Sequence, residues 1–407
     1  MYNLVVMKIA VISVGSEILS GRISNRDLVL ISHFLRKFGL TVTKEMTVSD
    51  EVGQIVDALK TLKDFDFVFI TGGLGPTSDD VTKKAIARFL DVDLEFSEDV
   101  LKLIKERLQD LGVEFLPVHR NYALIPQGAR ILRNNAGLAP GMIFSAGKTI
   151  LISLPGPPRE VESILPRLEG LFEKYKRGET YLKTVKTFGL RESEIYDTLK
   201  DSAWLKKAGF YPSIYGVDIR VETQKKDELE KIIMEIRDKL GDHIYGYDDE
   251  TLEMAFGNVL KKRELTVSTA ESCSGGLLAN LITNVSGSSE YFIGGVIAYH
   301  NRIKVDFLGV SQEILRKYGA VSEPTARQMA EGVRRLFDTD LGLSTTGIAG
   351  PTGGTPQKPV GLVYMGFSFR GEVHVIKKIF KGNRLEIKKQ AAYTIMDFAR
   401  RYLLQKL

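Results

Sequence analysis

The stretch FDFVFITGGLGPTSDD, residues 65–80, decides the fold. Its first six residues are an apolar run of strand length, broken by the glycines and proline of TGGLGPT. A helix is expected next, with Thr77 or Ser78 as its N-cap. The same unit recurs on both sides. KIAVISV (8–14) precedes helical apolar spacing over 26–38 and 52–62, and TILISLPGPPREVESIL (149–165) repeats strand, turn and helix. This alternation predicts a parallel α/β sheet whose loops gather at the carboxyl ends of its strands, where ligands bind. The first domain is expected over 1–171.

Working outward, FEKYKRGETYLK (172–183) is charged, carries a glycine and reads as a boundary. Beyond it, YLKTVKTFG and SIYGVDIRVET are expected strands, with helices from Glu192 and over 227–240. They form a small α+β module, 172–247, with the only tryptophan, Trp204, in its core. The last domain, 248–407, opens on the amphipathic helix TLEMAFGNVLKKRE. Strands LTVSTA, GGVIAYH and LGLSTT follow. GLVYMGFSF and EVHVIKKIF should pair antiparallel around Arg370-Gly371, and a helix over 384–404 ends the chain.

Composition narrows the function classes. The chain has 407 residues, 43% of them hydrophobic and 26% charged, which suits several globular cores and excludes a disordered or coiled-coil protein. A single cysteine excludes a disulfide framework and an all-cysteine zinc site, and points to a reducing, cytoplasmic setting. No apolar run reaches the length of a membrane span, and Lys8 interrupts the opening apolar stretch, so neither membrane nor signal peptide is expected. The net charge of +5 is localised. Residues 248–407 hold 21 Lys+Arg against 16 Asp+Glu, while the rest of the chain is balanced. Such a surplus fits a phosphorylated small molecule better than a duplex, which needs a dense basic stripe. A solvated basic face with no partner is the plainer alternative.

In residues 71–80 the glycines allow close backbone approach to a phosphate, and Asp79 and Asp80 are suited to a hard divalent cation. Neither a P-loop nor G-x-G-x-x-G is present; a tight turn with acidic helix-start residues is the alternative. In AESCSGG (270–276), Cys273 would need a histidine to act as a nucleophile. Only His300 lies in a motif and nothing places it nearby, so Cys273 reads as a small buried apolar side chain.

GSEILSGRISN (15–25), VSDEVGQI (48–55), TGGLGPTSDD, NNAGLAPG (134–141) and LPGPPRE (154–160) occur in this order. Together they resemble the molybdopterin-binding-like domain of the CinA (competence/damage-inducible) family. The resemblance implies a parallel-sheet fold and metal-dependent hydrolysis of ADP-ribose to AMP and ribose 5-phosphate, the divalent metal being unidentified. It places Asp50 and Asp80 at acidic positions of the fold, with Asp80 toward the metal. It places Gly72, Gly73, Gly75 and Thr77 in the phosphate loop. The middle module resembles that family's KH-like domain. It lacks the G-x-x-G loop that clamps nucleic acid, and its charges nearly cancel at 15 Lys+Arg against 14 Asp+Glu, so a spacer or dimer-forming piece is expected.

AESCSGG, GSSEYF (287–292), AYHNRIK (298–304), GAVSEPTA (319–326), STTGIAGPTGG (344–354) and FKGNRLEIKKQA (380–391) resemble the nicotinamide mononucleotide deamidase domain at the carboxyl end of CinA proteins. The resemblance implies a serine amidohydrolase without cofactor, with Ser289 as nucleophile, Lys304 as base and Tyr299 assisting. Ser272, Thr346, Gly347 and Arg384 are implied for substrate, and His300 departs from the family pattern. Physically, Lys304 must be neutral to act as a base, which burial or a neighbour such as Arg302 would favour. Tyr299 would protonate the departing ammonia, and the N–H groups of Gly275-Gly276 would stabilise the oxyanion. An apparent strand separates Ser289 from Lys304, so they meet only if the chain bends back or another subunit supplies one. A bifunctional nucleotide-recycling hydrolase is therefore expected, as a homodimer. The alternatives are a molybdopterin-binding protein and an interaction protein of DNA uptake or repair, with nucleic-acid contact not expected.

Overall fold

The computed structural model describes residues 7–176 and 180–406. The first six residues of the opening apolar stretch, and residues 177–179 within the charged boundary, lie outside it. The chain divides into two compact units, Met1–Thr180 and Tyr181–Leu407.

In the first unit the strands are β1 (Ile9–Val14), β2 (Lys44–Val48), β3 (Phe67–Thr71), β4 (Leu94–Phe96), β5 (Leu124–Pro126), β6 (Arg130–Leu132), β7 (Gly141–Ala146) and β8 (Thr149–Leu154). The main sheet runs β2-β1-β3-β8-β7-β6. Its first four strands are parallel, as the alternating pattern predicts, while β7 and β6 join antiparallel. Both faces are buried, because alternate residues of β1 enter different cores. Ile9 and Val11 meet Ile31, Phe34 and Leu35 of the Arg26–Arg36 helix, whereas Ala10 and Ile12 meet Ile55 and Leu59 of the Val52–Thr61 helix. Each such fully buried aliphatic side chain contributes about 1.5–3 kcal/mol.

The helix after residues 71–80 begins only at Thr82, with Val81 at the cap and no side-chain capping bond. Thr77 therefore lies within the loop and not at the N-cap position expected for it. Its hydroxyl goes to the Asp80 carboxylate at 2.6 Å, an option that turn-forming threonines have instead of capping.

The second unit contains two sheets. The KH-like one comprises β9 (Tyr181–Thr187), β10 (Ala208–Ser213), β11 (Gly216–Thr223) and β12 (Ile244–Tyr247), in the order β10-β11-β9-β12. SIYGVDIRVET, read as one strand, is split by a turn at Ile214–Tyr215 into the end of β10 and all of β11. Gly216 has φ +114 and no room for a Cβ, which would lie 1.8 Å from the Thr187 carbonyl oxygen; that backbone forces the turn. Trp204 is buried and donates to Glu235 at 2.7 Å.

The other sheet comprises β13 (Val267–Glu271), β14 (Phe292–Ile297), β15 (Leu341–Gly347), β16 (Leu362–Phe369) and β17 (Glu372–Ile379), ordered β14-β13-β15-β16-β17. β14, β13 and β15 are parallel, and β16 and β17 form the expected antiparallel pair. The Arg384–Lys406 helix covers one face through Ile387, Ala391, Ile395 and Ala399, and the Glu323–Leu336 helix covers the other through Met329 and Val333.

The long helix also ties the KH-like sheet to the last one. Arg400 is 2% exposed; it pairs with buried Asp397 at 2.8 Å and donates to the carbonyls of Asp242 (2.5 Å) and Ile244 (3.4 Å). Burial raises the Asp397 pKa despite Arg400 and Arg401 beside it. Arg400→Ala leaves the Asp397 carboxylate with Arg401 alone, at 2.8 Å, and takes the donor from the Asp242 and Ile244 carbonyls, so this unit should lose about 1–3 kcal/mol, read as a lower urea midpoint.

Candidate functional site

The parallel strands of the second unit end on one side, and their carboxyl ends build a cavity of 210 Å³. Ser272 follows β13 directly and is anchored by its N–H to the Thr345 carbonyl at 2.9 Å. Tyr299 follows β14, and Thr346 and Gly347 end β15. Lys304 lies on the short Asn301–Asp306 helix, capped by His300, whose Nδ1 accepts from the Arg302 N–H at 3.2 Å. His300 thus holds the segment that carries Lys304.

Lys304 is 1% exposed. Its Nζ donates to the carbonyls of Ala298 (2.7 Å) and Tyr299 (3.1 Å) and to Ser272 Oγ (3.2 Å). Burial pushes its pKa down to about 8, because the charged amine has lost its water. Arg302 plays no part in this; it is exposed and pairs with Asp306 at 3.8 Å. Cys273 borders the same cavity, and burial pushes its thiol up to about 12, so it stays protonated. Arg384 donates to the Gly350 carbonyl at 2.8 Å and to the Tyr299 hydroxyl at 3.4 Å.

Ser272, Tyr299, Lys304, Thr346, Gly347 and Arg384 therefore share one cavity. Ser289 does not join them. It is exposed, in the turn before β14, whereas Lys304 lies beyond that strand's other end. The six residues of β14 span about 20 Å, and the chain does not bend back to close that gap. The hydroxyl beside Lys304 is that of Ser272, expected only as a substrate contact. What could have found it is strand direction: AESCSGG and AYHNRIK both start at carboxyl ends, while GSSEYF sits at an amino end. Gly275 and Gly276 also fall outside the cavity lining. The Gly276 N–H donates to Glu271 at 3.0 Å, and the same carboxylate takes the N–H groups of Leu278 and Ala279, so Gly276 is spent on closing a helix.

The first unit has a larger cavity, 690 Å³, where strand order reverses between β1 and β3. Such switch points are where open α/β sheets bind ligands. Asp50, Gly72, Gly73, Gly75 and Asp80 line it. A Cβ on Gly72 would lie 2.3 Å from the Val14 carbonyl oxygen, which lets only glycine bring this loop against β1. Asp80 holds the loop shut by accepting from the N–H of Gly75 (2.7 Å) and of Thr77 (3.0 Å). Thr77, used in this way, is not among the lining residues. Asp50 accepts from the Ser16 N–H and hydroxyl at 2.9 and 2.8 Å.

Three acidic lining residues were not expected from sequence: Glu17, Asp27 and Glu160. Asp27 is 6% exposed and its Oδ1 has no hydrogen-bond partner; burial pushes its pKa up to about 6. Among the described residues no three His, Cys, Asp or Glu side chains cluster tightly enough to cage a metal.

Comparison with known proteins follows the same division. A model described as the probable molybdopterin binding domain matches residues 10–170, the damage-inducible protein CinA KH domain matches 182–246, and the CinA C-terminal domain matches 249–403. A CinA-like protein of Thermotoga maritima is 38% identical, over 97% of this chain and 98% of its own. One of Kosmotoga olearia is 40% identical, over 98% and 99%. A solved structure, the protein CinA with unknown function from Thermoplasma acidophilum, is 36% identical and covers 40% of this chain and 98% of its own, at a TM-score of 0.38. Similarity along nearly the whole length, with all three domain models in register, shows that the chain belongs to the CinA-like protein family.

Proposed function

We propose that the carboxyl-terminal cavity hydrolyses nicotinamide mononucleotide to nicotinate mononucleotide and ammonia, with Ser272 as nucleophile. The observation that carries this reading is the buried Lys304 amine within 3.2 Å of Ser272 Oγ. A buried amine with pKa near 8 is neutral often enough to take the serine proton as Oγ attacks the amide carbon. Tyr299, steadied by Arg384, delivers a proton to the departing ammonia, and water then cleaves the acyl-serine ester. The cavity is below the ~300–1,000 Å³ usual for a drug-sized ligand, so the amide-bearing ring enters. The phosphoribosyl group lies at the mouth, where Arg384 offers its guanidinium.

Ammonia release from nicotinamide mononucleotide tests this. Ser272→Ala should abolish it, and Lys304→Ala should lower kcat about 10²–10⁴-fold. Ser289→Ala should leave it unchanged; loss there with an active Ser272→Ala would overturn the reading. The base works as the neutral amine, so kcat should rise with pH and level off above about 8.

A second reading concerns the amino-terminal cavity, which we infer hydrolyses the diphosphate of ADP-ribose. Its lining carries Glu17, Asp27, Asp50, Asp79, Asp80 and Glu160 against Arg26 alone, so an anionic diphosphate needs an accompanying cation. Asp80 fits a divalent ion shared with the substrate: Oδ1 takes only the Gly75 N–H and keeps a lone pair free. A metal bound there would offset phosphate charge and acidify water. With no caging cluster among the described residues, ion and substrate should bind together. Calorimetry should therefore find weak ADP-ribose binding in chelator, strengthened by added magnesium or manganese. Formation of AMP should follow the same dependence; tight binding and full turnover in chelator would exclude this reading.

A further inference from the structure

NNAGLAPG and LPGPPRE are joined by one side-chain network on the wall of the 690 Å³ cavity. Asn134 Nδ2 donates to Glu160 Oε2 at 2.6 Å and to the Ala139 carbonyl at 2.9 Å. Asn134 Oδ1 accepts from the N–H groups of Ala136 (2.9 Å) and Gly137 (3.0 Å) and from the Ser163 hydroxyl (3.1 Å). A Cβ on Gly137 would lie 2.1 Å from the Glu160 carboxyl carbon, so only glycine lets the carboxylate lie against this loop. The same wall abuts the phosphate loop. A Cβ on Gly156 would be 3.3 Å from Gly72 Cα, and the Gly72 N–H donates to the Leu154 carbonyl at 3.1 Å. Tyr122 lines the cavity near both Glu160 and Asp80; burial first, then those two carboxylates, pushes its phenol up to about 12.

Glu160 thus lines the cavity with one carboxylate oxygen held by an orienting amide, and with Asp80 it acts on the same Tyr122 phenol. An oriented carboxylate beside a reacting phosphate is the arrangement that general-base catalysis requires. We propose that Glu160 is the catalytic base of the amino-terminal cavity, its Oε1 taking a proton from the water that attacks the diphosphate of a sugar-linked nucleoside diphosphate. This rests on the hydrolytic reading of that cavity. Water oxygen bonds to one phosphorus, the bridging P–O bond breaks with its electron pair leaving on the second phosphate, and the proton on Glu160 passes to solvent. Burial raises the Glu160 pKa while the Asn134 bond opposes the rise, and a raised carboxylate is the stronger base.

The test compares wild type, Glu160→Gln and Asp27→Asn on ADP-ribose, with AMP formation followed from pH 5 to 9 and calorimetry run without metal. Glu160→Gln should lower kcat about 10²–10⁴-fold, with KM and the metal-free Kd nearly unchanged, a split that a merely structural role would not give. Wild-type kcat should fall as acid protonates Glu160. The other groups facing the cavity are Glu17, Arg26, Asp27, Asp50, Asp79 and Asp80, with Asp27 the rival for that acid limb. The limb should persist in Asp27→Asn and vanish from the residual activity of Glu160→Gln. Full activity in Glu160→Gln, loss of binding in step with kcat, or loss of the limb only in Asp27→Asn would overturn the proposal. If wild type forms no AMP, the hydrolytic reading falls and takes this role with it; an active wild type matched by Glu160→Gln removes this role alone.

Discussion

Parallel pairing is the constraint on which both cavities depend. Strands that run together end together, so loops far apart in sequence open at one edge of a sheet. In the second unit this brings the residues after β13, β14 and β15 around one small space. In the first, Val14, Asp50, Thr71 and Pro155 follow or end β1, β2, β3 and β8 around a larger one. The strands β6 and β7, and β16 and β17, join each sheet antiparallel, and the β6–β7 connection closes the first cavity through Gly137, Leu138 and Ala139.

The two cavities then use burial in opposite senses. Burial of Lys304 disfavours its charge, and three oxygen partners keep the amine in one place without a carboxylate to recharge it. In the first unit, burial raises Asp27 and Glu160 while exposed carboxylates share the same walls. One cavity therefore favours a neutral amine beside a hydroxyl, and the other concentrates negative charge that only a cation can offset.

Much of this was legible in the sequence because strands and helices advertise themselves by period. KIAVISV, FDFVFI and TILISL were read to within two residues of β1, β3 and β8, and the turn at Arg370-Gly371 has the positive φ values its hairpin requires. Lys304, Tyr299, Thr346, Gly347 and Arg384, expected together, line one cavity. Ser289 lies outside that cavity within this chain, at the amino end of β14, whereas Ser272 lies at a carboxyl end beside Lys304; a motif says which residues matter but not at which end of a strand they lie. Gly276 was misread for a related reason, since a free N–H cannot be told from one consumed by Glu271 until the helix it closes is seen. The carboxylates Asp27 and Glu160 left no local signal, because burial in the folded chain raises their pKa values while the distant partners Thr71 and Asn134 oppose the rise.

The Arg384–Lys406 helix starts at the rim of the carboxyl-terminal cavity and, thirteen residues on, presents Asp397 and then Arg400 to the KH-like sheet. A helix turns about 100° and rises about 1.5 Å per residue. Inserting or deleting a single residue between Arg384 and Asp397 would swing the buried ion pair out of the interface or carry the guanidinium away from Tyr299. The length of this helix is therefore a fixed dimension of the molecule, one that side-chain substitution cannot compensate. Descendants of this chain can exchange the residues on its outer face freely while its count stays the same.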